Sequence, residues 1–263
     1  MKILSIDCGI KNLAICFLTM TALSHKQLRI IQDKIAKISI LDKQNEYKNE
    51  LNNLYNNCVK KDFKIHFWDN INMFPLDSRF DDLKCEFKAG CRQIVKYHKN
   101  YEQGYCTRHA KKVKGLREIK EKNAKLISYV DIAKAIMNNL DKLDFSGVEK
   151  IFIEQQPQKN GRMKHFQMML FQYLVMRYGK VNIHFVSPKH KLRAPDCHMF
   201  YKASTKKNKY AQNKEVSVQQ THKLLKTSKS NQKWYKFLCG IKTKQDDYCD
   251  CFLQAYMFFD IVN

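Results

Sequence analysis

The sequence predicts an α/β fold, a mixed central sheet flanked by helices and interrupted by a small module. Three observations carry this. Short apolar runs end in acidic residues, longer stretches between them repeat apolar residues at helical spacing, and a lysine-rich interruption holds cysteines and a histidine at metal-ligand spacing.

Taken in order, Lys2 to Asp7 is a short run ending in a carboxylate, Cys8 to Asn12 supplies a turn, and Leu13 to Leu18 is apolar again. This predicts two antiparallel strands. Leu28 to Ile40 leans towards strand, Asn45 to Lys61 is polar and helical, and Phe63 to Trp68 is a further strand. The module follows it as an insertion, so residues 81–120 are expected to form a unit inside a domain built from 1–80 and 121–263. Leu126, Ile127, Val130, Ala133, Ile136, Met137 and Leu140 give Asn123 to Leu140 a helical stripe. Ile151 to Ile153 is a buried central strand that ends at Glu154, and Val181 to Val186 is its successor. Between them, His165 to Tyr178 is apolar on more than one side, as a buried helix or one facing a partner would be. At the far end Cys249, Phe252, Leu253, Tyr256 and Met257 fall on one helical face, with Asp246 and Asp247 in the first turn.

The 263 residues include 48 Lys and Arg against 25 Asp and Glu, a formal charge of +23. Two segments hold nearly all of it: Lys84 to Lys125 has 13 basic and 4 acidic residues, and Ser187 to Lys244 has 15 and 2. Charge concentrated in this way is the footprint of a polyphosphate partner, here nucleic acid. Lys11, Arg92, Lys96, Lys111, Lys112, Lys189, Lys191, Lys209 and Lys214 are the candidate phosphate contacts. Tyr201, Tyr210, Trp234 and Tyr235 interleave with lysines and could stack on unpaired bases. Membrane association is not expected, because no run of about 18 uncharged apolar residues occurs and neither basic segment has an amphipathic Trp/Leu face. The opening MKILSIDCGI lacks the flanks of a signal peptide, so an intracellular, reducing compartment is expected.

Ten cysteines in that setting are thiols or metal ligands. Cys85, Cys91, Cys106 and His109 read C-x5-C-x14-C-x2-H in a segment too poor in apolar residues to fold alone. One tetrahedral Zn2+ held by three thiolates and an imidazole would supply the missing folding energy, as a structural site with no open position. His98 is the weaker alternative to His109. Ala89-Gly90 and Gly104 are expected to turn the chain before Cys91 and Cys106. Cys8, Cys16, Cys197, Cys239, Cys249 and Cys251 lie beside apolar residues and are expected to be buried.

Carboxylates that close apolar strands are costly unless paired or metal-bound, so Asp7 and Glu154 need a partner. Asp247 and Asp250 at i, i+3 share a helix face, and Asp246 with Asp250 at i, i+4 would serve nearly as well. Four converging oxygen donors would call for Mg2+ or Mn2+.

The motifs SIDCGIKNLAI, IFIEQQP, VSPKHKL and QDDYCDCFLQAY together resemble the RuvC-like branch of the RNase H-like superfamily. They look most like the Holliday junction resolvases of poxviruses and related large DNA viruses, with fungal mitochondrial resolvases more distant. The resemblance implies an RNase H-like fold and makes Asp7, Glu154, Asp247 and Asp250 the metal-binding catalytic tetrad, with Asp247 preferred to Asp246 by spacing. It implies two-metal hydrolysis of branched DNA and four-way junctions, with ions about 3.5–4 Å apart and 5′-phosphate and 3′-hydroxyl products. It also implies a homodimer matching the junction's near two-fold symmetry and, if the chain is viral, residence in the host cytoplasm or nucleus. The zinc module departs from the poxvirus pattern. The alternatives are another nuclease of the superfamily, acting on RNA:DNA hybrids or guided by RNA, and a zinc-stabilised nucleic-acid binder without catalysis.

Overall fold

The computed structural model describes residues 1–21, 62–76, 80, 83–88, 90–120, 123–192 and 197–259. The stretches expected at Leu28 to Ile40 and at Asn45 to Lys61 lie outside the described residues. In chain order the strands are β1 (Lys2–Asp7), β2 (Asn12–Thr21), β3 (Asp62–Asn72), β4 (Val95–Lys99), β5 (Gln103–Cys106), β6 (Arg117–Glu118), β7 (Lys150–Glu154) and β8 (Asn182–Val186). The helices are α1 (Thr107–Ala110), α2 (Tyr129–Leu140), α3 (Gly161–Tyr178), α4 (Cys197–Ala203), α5 (Lys209–Thr227), α6 (Gln232–Gly240) and α7 (Gln245–Phe258).

The described residues divide into two units, one drawn from Met1–Gly9, Ala14–Asn70 and Asp144–Asn263, the other from Ile10–Leu13 and Ile71–Leu143. The first holds a five-stranded sheet in the order β3-β2-β1-β7-β8. β1 runs antiparallel to β2 and parallel to β7, and β7 runs parallel to β8. This is the mixed α/β sheet with helices that the sequence predicts. The central strands are mostly apolar, because both faces are covered: Ile3, Leu4, Ile6, Ile151, Phe152 and Ile153 are fully buried, with Ser5 the buried polar residue of β1. Phe252, Leu253 and Tyr256 bring α7 onto that core beside Phe63, Trp68 and Phe152.

The second unit carries a three-stranded sheet in the order β5-β4-β6. Its tight hairpin turns through Asn100 and Tyr101, both with positive φ (51° and 64°), the geometry that matches strand twist in short hairpin loops. Gly90 turns the chain before Cys91 with φ 76°. Gly104 does not turn it: it lies within β5, where a Cβ would stand 2.8 Å from the Lys84 carbonyl oxygen, so it is glycine for close approach.

Other differences have local causes. α2 starts at Tyr129, not Asn123, because the Ser128 hydroxyl caps the Asp131 N–H and fixes the first turn there. The second basic segment has no predicted element, yet it forms α4, α5 and α6. The buried face of α5 is Val216, Ser217, Gln220, Thr221 and Leu225, mostly polar, so it leaves little apolar period to read. Cys16, Cys197, Cys249 and Cys251 are buried as expected and Cys8 is half-buried, but Cys239 is exposed at the end of α6.

Candidate active site and metal centre

Asp7 and Glu154 are the residues that follow the paired Ile6 and Ile153 at the ends of adjacent parallel strands. Their carboxyl groups therefore emerge side by side. The chain leaves β8, turns through Pro188–His190 and brings Lys191 over the same strand ends. The Lys191 ammonium lies 2.9 Å from Glu154 Oε1, 3.3 Å from Asp250 Oδ2 and 3.7 Å from Asp7 Oδ1, and the side chain is 3% exposed. Lys191 is expected at a phosphate, but the structure buries it among three of the four predicted acids, because their summed charge there outbids solvent.

Asp250 reaches the cluster from α7. The Ser217 hydroxyl of α5 donates to its Oδ1, and Gln156 Nε2 donates to Glu154 Oε2 at 2.9 Å. Asp247 faces the same cavity of about 450 Å³ and accepts from Asn70 Nδ2 at 3.3 Å, without a contact to Lys191. Asp246 also lines the cavity but is ion-paired to Lys214. Lys214, an expected phosphate contact, thus lines the cavity as the partner of Asp246. Tyr210, 67% exposed, stands at the rim, with Lys214 over its ring at 5.0 Å.

Burial pushes the Asp7 carboxyl well above the usual carboxylate range, against the pull of Lys191 and with the help of Glu154. Burial works the same way on Glu154, but hydrogen bonding with Asp7 and the Lys191 charge outweigh it and hold Glu154 low. Like charges at short range oppose one another's ionisation, which is the direction in which Glu154 moves Asp7. Burial opposes the Lys191 charge too, yet Asp7, Asp250 and Glu154 together raise its ammonium above the ordinary value. Burial, then Asp246, raises Asp247. Burial also raises the neighbouring Cys8 thiol strongly, which makes it a poor nucleophile.

In the second unit, the ligand atoms of Cys85, Cys91, Cys106 and His109 all lie within 4.8 Å of one another. His109 Nδ1 is 3.2 Å from Cys85 Sγ and 3.5 Å from Cys106 Sγ, against about 3.6 Å for the edge of a tetrahedron with usual zinc bond lengths. The set fits zinc in donor chemistry and spacing. The His109 backbone N–H is the largest influence on Cys106 and holds its thiol below the ordinary value. His98 stands apart: it is buried between Phe80 and Tyr101, and its Nδ1 accepts the Tyr101 N–H at 3.2 Å.

A family model described as mitochondrial resolvase Ydc2 / RNA splicing MRS1 matches residues 3–157. The chain belongs to this family. The match spans β1 and β7, and so Asp7 and Glu154, and ends before the helix that bears Asp247 and Asp250. Its description names a mitochondrial resolvase, the group to which the motifs bear the more distant resemblance. A solved structure of RuvC from Thermus thermophilus overlaps 100% of this chain and 97% of its own at 8% identity and a TM-score of 0.44, a level that assigns no residue a role. No curated protein matches the chain. No helix among the described residues is long and apolar enough to cross a membrane.

The remaining predicted contacts are dispersed. Lys189 is exposed beyond β8, and Lys209 lies over the Tyr201 ring at 3.9 Å. Lys11 is half-buried, with its carbonyl accepting the Met73 N–H at 2.8 Å. Arg92, Lys96, Lys111 and Lys112 are exposed around the Cys/His set. Sequence reasoning misses Asn70, Gln156 and Ser217 as partners of the acids. Each is an uncharged residue on a different element, and nothing in its neighbours marks it.

Proposed function

We propose that the protein is a structure-selective endonuclease that resolves four-way junctions and other branched DNA. The observation that carries this is the convergence of Asp7, Glu154 and Asp250 on one buried cation, Lys191, with Asp247 in the same cavity. Three carboxylates gathered around a positive charge are a cation site by construction, and hard oxygen donors suit Mg2+ or Mn2+. Asp7, Glu154, Asp247 and Asp250 would hold two such ions. When bound, they would supply an activated water and charge stabilisation for phosphodiester hydrolysis. Asp7 would hold them as the carboxylate, and Gln156 and Ser217 would keep Glu154 and Asp250 oriented. Tyr210 at the rim is placed to stack on an unpaired base. The products expected are a 5′-phosphate and a 3′-hydroxyl.

Cys85, Cys91, Cys106 and His109 hold one structural Zn2+ in this proposal. The protein works as a homodimer, for which α3 offers Met168, Val175 and Met176 as exposed apolar residues on the side away from Phe166, Leu170 and Leu174. It acts in a reducing compartment, in keeping with nine cysteines that form no disulfide among the described residues.

The family's description also names an RNA splicing protein, which favours one second reading, a nucleic-acid binder without cleavage. Labelled four-way junction, duplex, flap and RNA:DNA hybrid, each incubated with the protein in Mg2+, separate the two. Junction cut in preference to duplex is the expected result. Equal cutting of plain duplex would sink the resolvase assignment, and no cutting of any substrate in Mg2+ or Mn2+ would leave the binder.

A further inference from the structure

Beside the Cys/His set lies a groove of about 1040 Å³. Lys88, Arg92, Lys96, Arg108, Lys111 and Lys112 line it, all six are exposed, and no Asp or Glu is among its lining residues. So many like charges facing one space repel one another, and the module has little apolar core to oppose that repulsion. What holds them together is the metal-ligand framework. Cys91 precedes Arg92, Cys106 precedes α1 with Arg108 and His109, and Cys85 pairs with Gly104 across the module. Phe87 joins the two features: its ring stacks on His109 at 4.8 Å and carries the Lys112 ammonium 5.4 Å from its centroid.

We propose that this groove binds the phosphodiester backbone of DNA, and that a metal ion on Cys85, Cys91, Cys106 and His109 sets its shape. The inference rests on the nucleic-acid reading above and adds a second binding surface remote in sequence from the four acids. Charge complementarity selects the occupant. Six flexible cations lining a concavity match a row of phosphates, whereas a membrane surface would call for a flat amphipathic face. Lys and Arg contacts of this kind read the backbone and not the bases, so binding here is independent of sequence and steep in salt.

The test uses the full chain, a fluorescent four-way junction and anisotropy without added Mg2+, over a series of salt concentrations. Replacing Lys88, Arg92, Lys96 and Arg108 together by Ala should weaken binding by about tenfold or more at 0.1 M salt and flatten the slope of log Kd against log salt by about 3–4. Zinc content should stay at the wild-type level. An unchanged Kd and slope in a variant that keeps its zinc would overturn the proposal. The pair Lys88→Arg and Lys96→Arg keeps the charge and should bind as wild type; lost binding there would also overturn it. Cys106→Ser, which removes a metal ligand, should weaken binding as much as the fourfold variant, and full affinity without zinc would remove the metal from the proposal. Should the fourfold variant lose binding to phosphatidylserine vesicles but keep its DNA affinity, the groove is a membrane site instead. Cleavage at saturating protein separates this proposal from the nuclease reading. No cleavage with groove-dependent binding sinks the nuclease alone, and cleavage with groove-independent binding sinks the groove alone.

Discussion

The Gln254 side-chain amide donates to the Ile6 carbonyl oxygen at 3.2 Å, one residue before Asp7, and to the Phe152 carbonyl oxygen at 3.1 Å on the neighbouring strand. Gln254 is fully buried and lies one helical turn beyond Asp250. A single amide thus fixes α7 to the two strands whose ends carry the other acids.

Gln254→Ala should therefore cost about 2–4 kcal/mol in urea unfolding, since two hydrogen bonds are lost and a cavity is left. Cleavage should fall as well, because Asp250 loses its register against Asp7 and Glu154. Wild-type stability would show that the amide does not pin the helix.

Lys191→Met leaves the carboxylates without their counter-charge. Losing one partner of a buried ion pair costs about 3–5 kcal/mol, so the metal-free variant should unfold much more readily in urea. Mn2+ binds only the folded site and should restore part of the loss, about 2.7 kcal/mol at a hundredfold excess over its Kd. A variant as stable as wild type without metal would show that Lys191 does not neutralise the acids.

Asp7→Asn keeps the shape of the site and removes its most perturbed acid. Junction cleavage should drop by about a thousandfold or more, while junction binding stays the same or tightens as the negative charge falls. Retained turnover in single-turnover kinetics would take Asp7 out of the machinery.

Metal affinity should depend on pH through the same residue. Metal-free Asp7 keeps its proton above the ordinary carboxylate range, and a divalent ion takes the carboxylate form, so binding releases that proton. Affinity for Mn2+ should rise by about tenfold per pH unit below the raised pKa and level off above it. The stability of the metal-free protein runs the other way. Its folded state binds a proton that the unfolded chain has lost, so this group's contribution declines as pH climbs from the ordinary carboxylate value through the raised one. Calorimetric titration of Mn2+ between about pH 5 and about pH 8 checks the first sign; a flat profile would contradict it.

Cys106→Ser should release zinc and destabilise the segment around the Cys/His set, because the metal replaces the apolar core that this segment lacks. Unchanged zinc content and an unchanged transition would refute the ligand set.

The acids and the Cys/His set were legible because each follows from a local pattern: a carboxylate closing an apolar run, an i, i+3 pair on an apolar helix, or thiols spaced for a metal. Lys191 was not, because its burial depends on a turn after β8 meeting strands 37 and more residues away in sequence. The pairing of Lys214 with Asp246 is hidden for the same reason, since Asp246 comes 32 residues later. α5 escaped because its inward face is made of Ser, Gln and Thr, whose hydrogen bonding shows no apolar period.

The parallel pairing of β1 with β7 also governs the order in which the site can come into being. Asp7 is made early, Glu154 well over a hundred residues later, and Asp250 later still. Asp7 and Glu154 can be brought side by side by β1 and β7 alone, but Asp250 joins them only with the last helix. The cluster exists only after the segment bearing Asp250 has left the ribosome and docked, so a partly made chain has no assembled acid site.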